Sequence, residues 1–323
     1  MITGFARFPD ATTRPIASVD DVSVAWSDPD AVIWIDLEEP AEADLRAVGR
    51  LARLDGESIE DCLHGEQRPR IDEFEDYIFV VAYGLLGPEH DELDPRKLAA
   101  FCGKRFLITV HREPLRTVHG VLERCARNTG PVLAAGVDSV LYHIIDGMTD
   151  KYVLVADQYE QRIEALENRS LNPDVDDGVL ALAAELRSEI LQIRILSTSL
   201  RELVTPIAKG EYAYVSEALE QRFSHVRDHL SQMIESIDAL REQLAGVRDN
   251  YHTALAGRTN AIMRTLTVFA SIMLPLTLIA GIYGMNLRLW PPPEHPLSFW
   301  GVIAMMLATT VGLLIYFGRK KWL

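Results

Sequence analysis

Cysteine is scarce in this sequence of 323 residues, and nucleotide-binding motifs are absent. The three cysteines, Cys62, Cys102 and Cys125, are too far apart for CxxC metal ligation, and their odd number argues against a disulfide framework. Neither GxxxxGKS/T nor GxGxxG occurs, so ATP-driven pumping and dehydrogenase chemistry have no support in the residues. We therefore do not expect an enzyme.

Basic residues are also few, and they are unevenly placed. The chain has 32 Lys and Arg against 47 Asp and Glu, a net charge of −15. Residues 258–323 hold six basic residues and one acid, a local charge of +5, which leaves −20 for residues 1–257. So acidic a body lacks the clustered Lys and Arg that bind phosphates, which excludes a nucleic-acid partner, and it suits a protein that meets cations. Because no basic leader followed by an apolar run begins the chain, we expect this body in the cytosol.

Charge is missing altogether from two long runs near the C-terminal end. Leu266 to Tyr283 is 18 residues without a charge, and Phe299 to Phe317 is 19. A membrane-spanning helix needs roughly 20 apolar residues, so we predict two spans, with buried core helices as the alternative. Arg319, Lys320 and Lys321 follow the second run, which by the positive-inside tendency predicts that both termini are cytoplasmic.

Two helices per chain cannot enclose a path for water, because lipid does not tolerate exposed irregular backbone. If the chain conducts ions, it must therefore form an oligomer. Pro275 lies inside the first span and leaves the Ser271 carbonyl without its usual helical donor. Both a simple kink and a role in a polar path agree with this position.

A long helix is predicted to lead into the first span. From about Glu211 to Tyr283 the only proline is Pro275, which predicts a helix of about 70 residues, on the order of 110 Å long. Its apolar residues repeat in steps of three and four, the spacing of a helix that packs one seam against neighbours. The seam residues are Phe223, Val226, Leu230, Met233, Ile237, Leu240, Leu244, Val247 and Tyr251.

A second face of this helix is small, polar or flexible. It begins at Asp249, which points away from the apolar seam, and continues in helical steps to Gly284. The residues on this line are Ala256, Asn260, Met263, Thr267, Ala270, Leu274, Thr277, Gly281 and Gly284. Small residues permit close helix approach, whereas Asn and Thr offer oxygens to hydrated ions, and both interpretations stay open. Leu266 lies beside the line and, with Met263, predicts an apolar ring that closes a pore by dewetting.

The segment TNAIMRTLTVFASIMLPLTLIAGIYGMN, Thr259 to Asn286, resembles the first span of the CorA magnesium channels and ends in their GMN motif. The tail YFGRKKWL resembles theirs, and residues 64–85 do so more loosely. The resemblance implies an α+β fold: a cytosolic α/β domain, a helical stalk continuous with the first of two transmembrane helices, and a funnel-shaped homopentamer in the inner membrane. We place the domains at residues 1–135, 136–257 and 258–323.

The same resemblance implies roles for individual residues. Asn286, with Gly284, Met285 and Tyr283, would form the outer mouth of the pore. Asn260 and Thr277 would line it, Met263, Leu266 and Leu274 would form a hydrophobic gate, and Asp249 matches an acid at the cytosolic entrance. One departure concerns the outer loop, where Arg288 follows GMN and Glu294 is the only acid, although acids are usual there.

Three functions follow from these residues. The first is passive influx of Mg²⁺, and also of Co²⁺ or Ni²⁺, through a pore gated by cytosolic metal. The second is proton-coupled zinc uptake of the kind carried out by the ZntB transporters. These share the architecture but usually differ at the middle residue of GMN, so Met285 favours the CorA branch. The third is a membrane-anchored scaffold.

Acidic residues of the body are candidates for a regulatory divalent cation between subunits. Asp91, Glu92 and Asp94 follow a predicted strand, and His225 and Asp228 lie on the long helix, below Asp249. An imidazole ligand suits zinc, cobalt or nickel better than magnesium. Ordinary solvated surface charge is the alternative.

The body is predicted to alternate strands and helices before two longer helices. Predicted strands are 31–35, 78–85, 98–103 and 106–111, and predicted helices are 43–54, 114–128, 137–166 and 176–204.

Overall fold

A computed structural model describes residues 1–64, 68–86, 93–127, 132–172, 178–285 and 297–322. Within these residues, seven strands form one sheet in the order β2-β1-β3-β7-β6-β5-β4. The strands are β1 (Ile2–Arg7), β2 (Thr13–Ile16), β3 (Val32–Glu38), β4 (Arg70–Glu73), β5 (Tyr77–Leu85), β6 (Pro95–Gly103) and β7 (Phe106–His111). Only β3 and β7 pair in parallel; the other neighbours are antiparallel.

Both faces of the central strands are buried, as their nearly continuous apolar sequences require. On one face, Ile33, Ile35 and Leu37 of β3 join an apolar cluster with Phe79 and Phe101. On the other face, Trp34 and Asp36 are also fully buried. This second face holds the buried polar groups described below.

The helices of the body and of the C-terminal part agree with most of the predicted ranges. The structure has α1 (Val19–Trp26), α2 (Glu42–Ala52), α3 (Gly56–Leu63), α4 (Arg116–Ala126), α5 (Val137–Ser170), α6 (Gly178–Ala208), α7 (Glu217–Tyr283) and α8 (Ser298–Arg319), with a short 3-10 turn at Leu133–Ala135. The four predicted strands correspond to β3, β5, β6 and β7. Sequence patterns did not indicate β1, β2, β4, α1 or α3, because these are short elements in which apolar periodicity has few repeats.

The ends of α6 and α7 differ from the prediction for a local reason. Helix α6 continues past Val204 to Ala208 although Pro206 lies within it. A proline removes only one helical N–H donor, and α6 ends where Gly210 adopts a φ of 71°. Consequently α7 begins at Glu217, a few residues later than predicted, and is 67 residues long.

Contacts between side chains hold α5, α6 and the first part of α7 together. Arg162 of α5 lies 3.5 Å from Glu189 of α6, and Arg194 of α6 donates two hydrogen bonds, of 2.7 and 3.2 Å, to Asp238 of α7. The predicted seam of α7 is buried within the single chain, from Phe223 to Tyr251. The apolar side chains of the seam are therefore buried by the single chain itself, and their burial does not require a second copy.

The chain divides into two compact units. One comprises Met1–Leu166 with Ala181–Gly246, and the other comprises Glu167–Leu180 with Val247–Leu323. The domain limits at residues 135 and 257 stay predictions.

A chain of buried polar side chains crosses the parallel pair β3 and β7. The Trp34 indole donates to Thr109 Oγ1 at 3.2 Å, Thr109 donates to Asp36 Oδ1 at 2.6 Å, and His111 Nε2 lies 3.2 Å from Asp36 Oδ2. His111 Nδ1 lies 2.7 Å from the Glu113 carbonyl oxygen, which can only accept. Both ring nitrogens thus face acceptors, an arrangement that a doubly protonated imidazolium satisfies.

The electrostatic surroundings of His111 favour its protonated form. Burial lowers the pKa of His111, but the hydrogen bond and charge of Asp36, the Glu113 carbonyl and the charge of Glu38 outweigh burial, so the pKa is raised above 6.5. His119, 6.3 Å from His111 between ring centroids, is itself bound to Glu38 Oε2 at 2.8 Å. Loss of either ring proton of His111 would place a ring lone pair opposite an acceptor oxygen, that of the Asp36 carboxylate or of the Glu113 carbonyl.

We expect the stability of the N-terminal body to fall as the pH rises. A folded-state pKa above the unfolded value of 6.5 gives stability that is complete below pH 6.5 and is lost as the pH rises through the folded pKa. Thermal unfolding of the full-length chain, followed by circular dichroism from pH 6.5 to about 9, measures this.

The control is the double variant Asp36→Asn/His111→Gln, which keeps hydrogen-bonding groups but holds no titrating pair. It should lose this pH dependence. Parallel pH profiles for the variant and the unchanged chain would contradict the assignment.

Candidate functional site

The polar line predicted on α7 is exposed along its whole length in the single chain. Asn260, Thr267, Thr277 and Gly281 are all exposed. Leu274, at the middle of the line, is 71% exposed, and Met263 and Leu266 are 56% and 60% exposed. This face of α7 therefore has no partner among the described residues.

A different face of the same segment is covered. Val268 is 6% exposed, and Ile272, Pro275, Ile279 and Tyr283 are half-buried. These positions follow one another at helical spacing. The chain thus covers one apolar face of the helix and leaves the rest open, both the line and apolar residues such as Phe269 and Leu278.

The hydroxyl groups on the line present acceptor oxygens. Thr267 Oγ1 donates to the Met263 carbonyl at 2.7 Å, and Thr277 Oγ1 donates to the Met273 carbonyl at 2.8 Å. Because each hydroxyl proton is used within the helix, the remaining lone pairs are free to accept from water or to meet a cation. Pro275 has no N–H, so the Ser271 carbonyl also lacks its usual helical donor.

A shallow, open depression lies at the far end of the exposed line. It is lined by Leu274, Thr277, Leu278, Gly281, Ile282 and Met285. Its wall is mostly apolar, and Thr277 contributes a hydroxyl oxygen. A largely apolar wall with few polar groups does not hold a dehydrated cation.

The predicted outer mouth is described only in part. The Gly284 amide donates to the Ala280 carbonyl at 2.9 Å, and the Met285 amide donates to the Ile282 carbonyl at 3.2 Å, so helical hydrogen bonding continues just past Tyr283. Asn286, Arg288 and Glu294 lie outside the described residues. Their roles stay predictions.

The two apolar helices meet at one end. α7 and α8 each contain a stretch long and apolar enough to cross a membrane. Arg264 Nη1, before the first apolar run, lies 3.4 Å from the carbonyl oxygen of Lys321, after the second. The start of the first run and the end of the second therefore lie together, as in a helical hairpin.

The predicted regulatory residues do not come together in one chain. Arg96 donates to Asp94 at 3.0 and 3.1 Å, and Arg227 donates to Asp228 at 2.9 and 3.2 Å. His225 and Asp249 are exposed. No group of three metal-ligating side chains forms among the described residues, and Asp91 and Glu92 lie outside them.

Sequence reasoning missed two features. The pair Asp36 and His111 was not identified, although an acid inside the apolar run VIWIDL is a signal of a buried polar partner. The contact between Arg264 and Lys321 was not predicted either, since it joins residues 57 positions apart. Of the basic residues, Arg319, Lys320 and Lys321 were used only to predict the orientation of the spans.

Comparisons with known proteins agree with this architecture. The family described as CorA-like Mg²⁺ transporter protein matches residues 29–320. The cobalt/magnesium transport protein CorA of Thermotoga maritima is 26% identical over 319 residues, covering 98% of this chain and 90% of that protein. The zinc transport protein ZntB of Pectobacterium carotovorum is 23% identical, covering 90% and 88%. The structure of the CorA magnesium transporter from Methanocaldococcus jannaschii has a TM-score of 0.83 at 22% identity, covering 100% and 99%.

We expect the exposed line of α7 to be reached by water in the assembled protein, and the covered face not to be. In a background with Cys125→Ser, Thr277→Cys and Gly281→Cys should react with a charged, water-soluble thiol reagent in membrane vesicles. Ile272→Cys and Ile279→Cys are the matched controls and should stay unmodified. Labelling is read by mass spectrometry, and equal labelling of the two faces would show that the line does not face water.

Proposed function

The chain belongs to the CorA-like Mg²⁺ transporter family, and on that premise we propose that it conducts Mg²⁺, and also Co²⁺ or Ni²⁺, passively through a homopentameric pore in the inner membrane. The observation that carries the proposal is the line of small and polar side chains along α7, which the single chain leaves exposed together with its apolar neighbours. Several copies of the chain would surround a water-filled path, with this line of each copy facing the water. Asn260 and Thr277 would then line the pore, and Met263, Leu266 and Leu274 would form its narrow apolar gate.

The chemistry of the line suits a hydrated ion. Magnesium gives up its water slowly and usually keeps several water ligands. Neutral oxygens, such as the Thr277 hydroxyl and the Asn286 amide, can bind those waters without trapping the ion, whereas a ring of carboxylates would hold it longer. The five Asn286 side chains would form this first filter at the outer mouth.

The driving force needs no nucleotide. Moving one elementary charge through 100 mV is worth about 2.3 kcal/mol, so a divalent ion gains about 4.6 kcal/mol on entering a negative interior. That corresponds to a concentration ratio on the order of a thousand. With cytoplasmic termini, as the basic end of α8 predicts, the acidic body would stand at the inner end of the path and attract the arriving cations.

A regulatory metal, if it binds, would have to bind between subunits. In one chain Asp94 and Asp228 are each paired with a neighbouring arginine, and His225 and Asp249 stand alone as exposed ligands. A partner subunit would have to supply the remaining ligands. We propose Asp228 and Asp249 as the helix contributions to such sites, with Asp91, Glu92 and Asp94 from the body.

Proton-coupled zinc uptake is the second candidate, because the ZntB zinc transporters are related over most of the chain. Met285 favours the magnesium branch. Because Arg288 stands where an acidic residue is usual, measurements of ion flux must decide which ion is transported. A scaffold that uses the two helices only as an anchor would have no need of a continuous polar line.

The test is metal uptake by liposomes that contain the full-length chain, with magnesium, cobalt, nickel and zinc compared with and without a pH gradient. We expect magnesium uptake that does not depend on the gradient. We further expect Asn286→Ala to abolish it, because the first filter is lost.

Asn250→Ala on α7, outside the polar line, is the matched control and should leave uptake unchanged. Zinc uptake only with a proton gradient would replace the channel by the carrier. Uptake that is absent in the unchanged chain, or indifferent to Asn286→Ala, would contradict the proposed pore.

A further inference from the structure

The C-terminal end of α8 is an ordered turn that presents basic side chains. After the helix ends at Arg319, Lys321 adopts a left-handed φ of 56°. The Lys321 amide donates to the Gly318 carbonyl at 3.1 Å, and the Trp322 amide donates to the Phe317 carbonyl at 3.0 Å. These two hydrogen bonds are those of a Schellman turn, which satisfies the last carbonyls of a helix.

An aromatic contact fixes this turn. The rings of Phe317 and Trp322 stack at 5.8 Å with an interplanar angle of 20°, the apolar contact that commonly accompanies a Schellman turn. Phe317 is buried, while Trp322 is 38% exposed. A lysine in the left-handed region costs roughly 1 kcal/mol, which a glycine would avoid. The turn thus holds a lysine at a position where glycine would fit more easily.

The turn gathers cations at one end of the apolar hairpin. Arg264 of α7 contacts the Lys321 carbonyl, and Lys320 Nζ lies 5.4 Å from the centre of the Tyr316 ring. Arg264, Arg319, Lys320 and Lys321 are exposed, and none of the four forms an ion pair with a described residue. Four cations that have no ion pair in the described part of the chain therefore lie where the first apolar run begins and the second ends.

We propose that this turn, together with Arg264, is a binding site for the phosphate headgroup of an anionic phospholipid. The apolar runs place it at the boundary of the hydrocarbon, where lipid phosphates lie. Aromatic rings such as Tyr316 and Trp322 favour the same level of the bilayer. Arginine and lysine side chains match a phosphate anion in charge and in hydrogen bonding. The site does not depend on which ion the protein conducts.

A lipid headgroup and a free phosphate anion would bind to this site differently. An exposed cationic cluster in water binds free phosphate weakly, because its attraction is screened by salt. The acyl chains of a lipid beside α8 would hold the headgroup at the cluster. We therefore commit to the lipid and treat free phosphate as an outcome of the test.

The experiment measures lipid preference directly. The full-length chain is reconstituted in phosphatidylcholine bilayers that contain a trace of spin-labelled phosphatidylglycerol or spin-labelled phosphatidylcholine, in metal-free buffer. The motionally restricted fraction of each label gives their relative association with the protein. Since each basic side chain near an anionic surface contributes a factor on the order of five, we expect at least about a threefold preference for phosphatidylglycerol.

Variants assign that preference to the turn. Arg264→Gln/Lys320→Gln/Lys321→Gln should reduce it to about one, whereas Lys320→Arg/Lys321→Arg should retain it. The matched control Arg46→Gln/Lys104→Gln/Arg127→Gln removes the same charge from exposed positions of the body and should change nothing. Trp322→Ala keeps every cation but removes the stacking contact, and a reduced preference there would support the ordered turn as the binding element.

Three results would overturn the proposal: equal restriction of the two labels by the unchanged chain, a triple variant that keeps its preference, or displacement of phosphatidylglycerol by inorganic phosphate at about the same concentration as the lipid. The last would indicate a soluble phosphate site.

Discussion

The C-terminal part of this protein depends on one constraint: the hydrocarbon of a membrane excludes polar groups that have no hydrogen-bonding partner. Hydrocarbon offers no hydrogen bonds, so a polar line on a spanning helix must face protein or water. In the single chain, the line from Asn260 to Gly284 has no described partner, whereas the apolar face around Val268 is covered. The Thr267 and Thr277 hydroxyl groups donate within the helix, and in the proposed assembly copies of the chain would cover the exposed length of the line.

The earlier part of α7 is packed within the single chain. The seam from Phe223 to Tyr251 is buried within the single chain, and Arg194 donates two hydrogen bonds to Asp238. Since this part of α7 is fixed by its own chain, assembly can act through the other faces of the helix. The sheet is likewise satisfied locally, because Asp36 and His111 are hydrogen-bonded to each other.

Sequence reasoning found those features that repeat. The charge-free runs, the heptad seam of α7 and the strands β3, β5, β6 and β7 all carry a periodic or long signal, and the structure has them. It did not find Arg264 beside Lys321 or Asp36 beside His111, because such pairs depend on how distant segments meet. The positive φ of Lys321 was equally hidden, since lysine carries no expectation of a left-handed backbone. Asn286 was identified from its motif alone, and its place in a pore stays a prediction.

The number of chains in the assembled protein tests the central claim most directly. Multi-angle light scattering of the detergent-solubilised, full-length protein, corrected for bound detergent, gives the protein mass alone. We predict five chains of 36.2 kDa each. A monodisperse single chain that still carries magnesium into liposomes would contradict the account, because two helices cannot enclose the exposed line of α7.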